Sequence, residues 1–396
     1  MSLYYIQKFN NFFNYSWSIF STTPTCRSSF IVSFGLKEAS ICLLILYSLI
    51  FSFLHYWRMR PWRRKKVSEQ REWFLKNGST FLQELIADSN GISNPIRFFS
   101  SDQILKATDR FHPNCFISRH RFFTWYKGVI EDRPYAIKKF TDSWFSEESE
   151  REVYNDIVLS ARVSNHSSFL KLLGCSLEFP LPVIVFEYPE NGVLNEQGAC
   201  EDGTLLPWNV RLKIAKEVAV AVTYLHTAFP RIIIHRDIKP TNVFLDKNWN
   251  AKLTDFTFSV SLPVGKSWIK DKVVGTFGYI DPVYFSRGLV TEYTDVFSFG
   301  IFMLALLLGR AAVFAGSNGY HCNILDYVKD LQERGEPLEF VGGVNDMMPG
   351  QMNMFLDLAL RCCQGRSEDR PKMILVAKEI KIIEKGSHDC SEDDQI

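Results

Sequence analysis

The sequence predicts an α+β protein built around one large two-lobed domain, and three observations lead there. The chain has 396 residues, 46% of them apolar, which is enough for a sizeable core plus extensions. Short apolar strand-like runs come first, and a long helix-patterned body follows them. Between and within these lie charged motifs in a fixed order: Tyr135-Ala-Ile-Lys138, His235-Arg-Asp-Ile-Lys-Pro-Thr-Asn242 and Leu253-Thr-Asp-Phe256.

The formal charge of +1 exerts no global pull toward nucleic acid, so electrostatic partners must be sought in local clusters. The nine cysteines include no Cys-x-x-Cys pair, as expected of reduced thiols rather than a disulfide frame or a zinc site. The N-terminus opens on a short segment, 1–38, with no basic stretch leading into an apolar run, so no cleavable signal is expected. Residues 39–57, ASICLLILYSLIFSFLHYW, carry no Asp, Glu, Lys or Arg and have the length of a bilayer core. They form a candidate transmembrane helix. Arg58, Arg60, Arg63, Arg64, Lys65 and Lys66 follow at once and orient the C-terminal part to the cytoplasm, which places the protein at the plasma membrane. A chain starting at Met59 would instead be cytoplasmic and touch membranes through those cations alone.

Residues 58–98 form a basic juxtamembrane and helical extension. Glu69–Ala87 has helical patterning, with a break expected at Asn77-Gly78 and a second helix opening on the capping box Thr80–Gln83. Another capping box, Ser100–Gln103, starts the next helix. In Tyr135-Ala-Ile-Lys138, strand alternation puts Ala136 and Lys138 on one face, where a lysine reaches a phosphate while the small alanine leaves room for a flat base. Phosphoryl transfer further needs a carboxylate to orient a hydroxyl, a lysine to balance charge, and an amide with a second carboxylate to hold magnesium. Asp237, Lys239, Asn242 and Asp255 supply these groups in that order.

Residues 99 to about 385 resemble a plant receptor-like serine/threonine protein kinase domain of the wall-associated type. The resemblance rests on these motifs and on Phe99-Ser100, Leu105, Ala107-Thr108, Phe111, Lys171–Cys175, Gly275–Pro282, Asp295–Gly300 and Arg370-Pro371. It implies the two-lobed protein kinase fold, with a small antiparallel β-sheet and helix C in an N-lobe, 99–190, and a larger, mainly helical C-lobe, 191–386, before an acidic tail, 387–396. It also implies ATP and Mg2+ as cofactors. Ile117, Trp125, Ala136, Lys138, Glu187 and Asp156 would line the nucleotide site; Asn242 and Asp255 would hold metal; Asp237, Lys239 and Asn242 would be catalytic. The lead-in, the aromatic-rich wording and the lost loop glycines are most similar to the ZRK group of kinases and pseudokinases. That group implies an adaptor or switch paired with a cytoplasmic nucleotide-binding leucine-rich-repeat immune receptor, with receptor-like kinases as further partners. The alternative is an active ATP-dependent serine/threonine kinase.

Four departures from the family pattern bear on that choice. Ser118, His120 and Phe123 replace the three glycines of the loop, and Trp125 stands where a valine lies over adenine, so backbone approach to phosphates is impeded. Phe123 is expected at the hairpin tip, turned either inward or outward. Thr257 replaces the glycine after Asp255-Phe256 and should bias that segment to one conformation. Asp156, or Glu152 in another register, stands for the helix C glutamate. Val283 replaces the acid that pairs with the arginine matched by Arg370, and a lost partner for a buried guanidinium costs about 3–5 kcal/mol unless another acid serves. Beside Asp237, Arg236 is the residue that binds an activation-loop phosphate in such kinases. Asp271 could take the phosphate's place.

Overall fold

In the computed structural model, described for residues 68–81, 96–141, 147–316, 319–342 and 348–386 and a few isolated earlier positions, a six-stranded sheet comes first and a helical body second. The first strand is β1 (Arg97–Phe98), and the sheet continues with β2 (Phe116–Arg119), β3 (Phe123–Ile130), β4 (Arg133–Phe140), β5 (Leu172–Ser176) and β6 (Val183–Glu187). The strand order is β1-β5-β6-β4-β3-β2. Every pairing is antiparallel except β1 with β5. A Cβ on Gly174 would lie 2.1 Å from the carbonyl oxygen of Arg97, so the close approach of β1 requires glycine there.

Residues 70–396 form one compact unit, and residues 1–69 a separate one of which few positions are described. The candidate span 39–57 lies outside the described residues; among the described ones no helix is long and apolar enough to cross a membrane. The acidic tail lies outside them as well.

Residues 70–81 form helix α1 without interruption. The expected break at Asn77-Gly78 does not occur, and Thr80 bonds back to the Lys76 carbonyl at 3.2 Å within the helix instead of capping a new one. Asparagine and glycine together disfavour a helix interior by only about 1–2 kcal/mol. The buried bonds that Asn77 makes to the rest of the lobe offset this. Helix α2 (Ser101–Ala107) opens on the capping box expected at Ser100 and Gln103, both halves of which are formed.

Helix α3 (Glu147–Val163) packs against β5. The C-lobe is organised around α4 (Trp208–Thr227) and α6 (Glu292–Leu308), with the short α5 (Pro282–Arg287) ahead of α6 and α7 (Ile324–Arg334), α8 (Pro349–Cys362) and α9 (Met373–Lys385) after it. From Thr294 to Leu308 every residue of α6 is buried, as expected for a helix apolar on all sides. At Gly300 a Cβ would meet the Cys363 sulfur at 2.5 Å and the Ala359 carbonyl oxygen at 2.9 Å, so α6 and α8 approach through that glycine. The described cysteines are all free thiols. The fold expected from the sequence, a small sheet lobe and a larger helical lobe, is the one observed.

Candidate functional site

The register of the β3–β4 ladder builds the site. Phe123 pairs with Phe140, Trp125 with Lys138 and Lys127 with Ala136. Directly opposed residues share a face and alternate residues return to it, so Phe123, Trp125, Lys138, Ala136 and Phe140 all point to the cleft side of the sheet. Phe123 therefore begins a strand and is not at the hairpin tip. The tip is Arg121-Phe122, closed by a bond from the His120 N–H to the Phe123 carbonyl at 2.9 Å.

Phe123 turns inward, at 3% exposure. Its ring centroid lies 3.8 Å from the Lys138 ammonium, with the Phe140 ring 5.0 Å from the same nitrogen. His120 stacks on Phe123 with centroids 4.4 Å apart. Burial chiefly, and the Lys239 charge next, push the His120 imidazole down to about 4, so it is neutral at physiological pH and offers no cation to a phosphate. Ser118 keeps its hydroxyl buried without a hydrogen-bond partner. At the tip Phe122 packs edge-on against Phe258 of the C-lobe at 5.8 Å, holding the loop down over the cleft.

Trp125, 1% exposed, packs against Phe186 at 5.3 Å and against Phe244 of the C-lobe at 4.9 Å. Ile117, Ala136, Val193 and Phe244 belong to the same apolar cluster, so one continuous core runs from the sheet into the helical lobe through the indole. Glu187 ends β6, where its N–H donates to the Lys171 carbonyl and its carboxylate accepts from the Lys171 N–H, both at 3.0 Å.

Lys138 is fully buried. Its ammonium donates to Asp156 Oδ2 at 2.7 Å, to Asp255 Oδ1 at 2.6 Å and to Thr257 Oγ1 at 3.2 Å. Asp156 is thus the acid of α3 that meets the lysine, while Glu152 pairs with Lys272 at 2.7 Å. Burial opposes the Lys138 charge, but the two carboxylates outweigh it and raise the group above its ordinary value. Burial likewise raises Asp156, whereas Asp255 falls well below the carboxylate range because Lys138 and the Thr257 hydroxyl overcome its burial.

The Thr257 hydroxyl donates to Asp255 Oδ1 at 2.6 Å. Asp255 itself sits at φ +72°, in the left-handed region. The Phe256 N–H donates to Asp156 at 2.9 Å, Asn155 bonds the carbonyls of Phe256 and Ser259, and the Phe256 ring is buried against Phe169 and His235. The Asp-Phe-Thr segment is therefore held with its aspartate turned toward Lys138. The hydroxyl that replaces a glycine hydrogen is one of the ties.

A second polar group lies on the C-lobe side. Asn242 Nδ2 donates to the Asp237 carbonyl at 2.8 Å and to its Oδ2 at 3.1 Å, and Lys239 lies 2.8 Å from the same carboxylate. Thr276 donates to Asp237 Oδ1 at 2.6 Å and accepts from Lys239 at 2.7 Å. Thr276 was not singled out from the sequence, although its place in Gly275-Thr-Phe-Gly was on view. Gly275, at φ +125° with the Arg236 carbonyl 2.7 Å from a would-be Cβ, lets the segment come this near. His235 is buried, and the turn is held by Asp295 of α6, which accepts from the N–H groups of His235 and Arg236 at 2.8 and 2.9 Å.

Arg236 donates to Asp271 Oδ2 at 2.7 Å and to the Phe258 carbonyl. A carboxylate thus stands where a phosphate would be held. Arg370, fully buried, meets Asp281 Oδ1 at 2.9 Å and donates to the carbonyls of Gln364 and Tyr293. Asp281, which also caps α5 through the Val283 N–H at 3.0 Å, supplies the acid that Val283 cannot, and no orphan guanidinium remains.

Residues 124–382 match the protein kinase domain family. The chain belongs to the protein kinase domain family. It is 56% identical over 339 residues to Serine/threonine-protein kinase ZRK1 of Arabidopsis thaliana, covering 83% of this chain and 97% of that one. Two further Arabidopsis thaliana relatives are Non-functional pseudokinase ZRK2, 52% identical over 331 residues (81% of this chain, 92% of the relative), and Non-functional pseudokinase ZED1, 50% identical over 334 residues (82% and 99%). The resemblance to the ZRK group is met, and the chain is a kinase-fold signalling protein. Its relatives include proteins named as kinases and proteins named as pseudokinases, so the site must decide between them.

Domains of this family bind ATP with magnesium. The side chains here do not fit that ligand. The place over Ala136 that a base needs is filled by the Trp125 indole, which belongs to the interlobe core. The lysine meant for phosphates is shut between two carboxylates and the Phe123 ring. Asp255 spends its Oδ1 on Lys138 and Thr257, and the Asn242 amide is turned into Asp237.

Proposed function

We propose that the protein is a pseudokinase acting as an adaptor or switch, with its fold, rather than phosphoryl transfer, as its working part. The observation that carries this reading is the aromatic filling of the cleft by Phe123 and Trp125 above a sealed Lys138. A base and triphosphate would have to displace about two buried aromatic side chains, each worth roughly 3–5 kcal/mol of packing. By resemblance to its group, the partner is a cytoplasmic nucleotide-binding leucine-rich-repeat immune receptor, with receptor-like kinases joining it. Attachment to the plasma membrane through residues 39–57 or the basic cluster is part of the same reading.

A second reading, slow serine/threonine phosphorylation, is favoured by the bonded Asp237, Lys239, Asn242 and Thr276 group. In that reading ATP and Mg2+ bind only after the aromatic rings swing out. The test is phosphate incorporation from labelled ATP–magnesium by the full chain and its Asp237→Asn variant, run beside co-purification with the receptor. The proposal expects equal background incorporation in both proteins and undiminished receptor association by the variant. Incorporation that disappears with Asp237→Asn would establish the kinase reading.

A further inference from the structure

The N-terminal helix α1 has no part in the site described above, yet it makes an unusual set of buried polar contacts. Asn77 is 1% exposed. Its amide donates both hydrogens, to the carbonyls of Leu177 and Phe179 at 2.8 Å each, and its oxygen accepts from the Tyr154 hydroxyl at 2.9 Å. Phe81, 6% exposed, lies against the Tyr154 ring at 6.5 Å and against Phe98 at 6.3 Å. Lys76 pairs with Glu150 at 2.6 Å, and Gln70 donates to Ser101 at the start of α2.

Two of these partners, Glu150 and Tyr154, are one turn apart on α3. Tyr154 and Asp156 are two residues apart, about 200° around a helix, and so face opposite sides. The outer side of α3 is therefore fastened to α1 and the inner side to Lys138. Glu152, one turn before Asp156 and on the same side of the helix, is held by Lys272 of the segment that also carries Asp271. Removing α1 would take the partners of the Leu177 and Phe179 carbonyls and of the Tyr154 hydroxyl away together, and all three bonds converge on the one Asn77 amide, so the contact is made or broken as a unit.

We propose that α1 is a brace whose seating on Asn77, Phe81 and Tyr154 fixes α3 against the sheet and thereby sets the Lys138–Asp156–Asp255 arrangement. Without α1, the polar ties of α3 to Lys138, to Lys272 and to the Phe256 and Ser259 carbonyls all lie away from the side that Tyr154 presents. Clamped from outside, α3 keeps Asp156 on the ammonium and on the Phe256 N–H, and the Asp-Phe-Thr segment stays where it is. Anything that takes hold of residues 70–81 then acts on the cleft through α3. The inference is independent of whether the protein transfers phosphate.

The experiment is hydrogen–deuterium exchange on the full chain, comparing wild type with Asn77→Leu, Tyr154→Phe and, as a control outside the buried set, Lys76→Ala. The brace predicts that Asn77→Leu raises exchange about tenfold or more in α3 and in residues 253–259, while α4 and α6 stay as protected as in wild type. Tyr154→Phe should give the same pattern with smaller amplitude, and it carries the test if Asn77→Leu does not fold. Lys76→Ala should change exchange by less than about threefold. An increase confined to residues 70–81 and 177–179 would overturn the proposal. So would a uniform rise across both lobes, which would mean general destabilisation without coupling.

Discussion

At the scale of single residues, His120 and Lys138 give the sharpest consequences. His120 faces Lys239, Lys138, Asp255 and Asp237, and its folded-state value near 4 lies below the ordinary 6.5. Between these values the unfolded chain binds a proton that the folded chain refuses, so stability falls as pH drops through that window and is fully present above it. From pH 7 to pH 5 the loss attributable to this half-buried imidazole is about 2 kcal/mol. Melting curves should show wild type losing more stability over that interval than His120→Asn, and parallel losses would contradict the assignment. For Lys138, the substitution Lys138→Met strands the Asp156 and Asp255 carboxylates beside one another. The expected cost is about 3–5 kcal/mol of stability, read by denaturant unfolding, and a variant as stable as wild type would show that the triad contributes nothing net.

Much of this was legible in the sequence. The order Lys138, Asp156, Asp237, Lys239, Asn242, Asp255 marks the polar groups, and the structure brings Lys138, Asp156 and Asp255 into one cluster and Asp237, Lys239 and Asn242 into another. The inward turn of Phe123 could have been found from parity, since it is two residues from Trp125 on one strand. The sequence leaves inward and outward open as long as Phe123 is placed at the hairpin tip, where strand parity does not apply. Thr257 reads in the sequence as the loss of a glycine, whereas in the fold its hydroxyl is bonded to Asp255.

At the scale of elements, the segment from Asp255 to α5 is held by substitutes. Asp271 meets Arg236 with its side chain about one-third exposed, so the ion pair is worth roughly 0.5–1 kcal/mol after screening. Asp271→Asn should accordingly leave global stability nearly intact while speeding limited proteolysis within residues 263–275; unchanged cleavage would refute the tie. The Asp281–Arg370 pair is buried on both sides and doubles as the cap of α5. Asp281→Ala is predicted to destabilise the C-lobe by about 3–5 kcal/mol, measured by thermal unfolding, against less than about 1 kcal/mol for the neighbouring Val283→Ala, whose side chain is only partly buried. The sequence did not reveal that Asp281 replaces the missing acid, because the pair is 89 positions apart and no local pattern joins them. The run of α1 through Asn77-Gly78 escaped for the same reason: local propensity favours a break, and three long-range bonds override it.

At the scale of the whole molecule, the two lobes are joined by a core where an open cleft is the rule for the fold. Trp125 and Phe244 link the lobes through the middle, Phe122 and Phe258 at the loop, and Lys138 with Asp255 at the back. Fold class and lobe order were readable from motif order and apolar patterning, whereas closure of the cleft depends on side-chain packing that motif spacing does not encode. The most direct test is isothermal titration calorimetry of ATP with magnesium into the wild-type chain and into the Phe123→Gly/Trp125→Val double variant, which returns the residues the family places there. The account predicts no saturable heat for wild type at up to about 1 mM ATP, weaker than about −4 kcal/mol of binding, and measurable binding for the double variant. Saturable wild-type binding at micromolar ATP would contradict it.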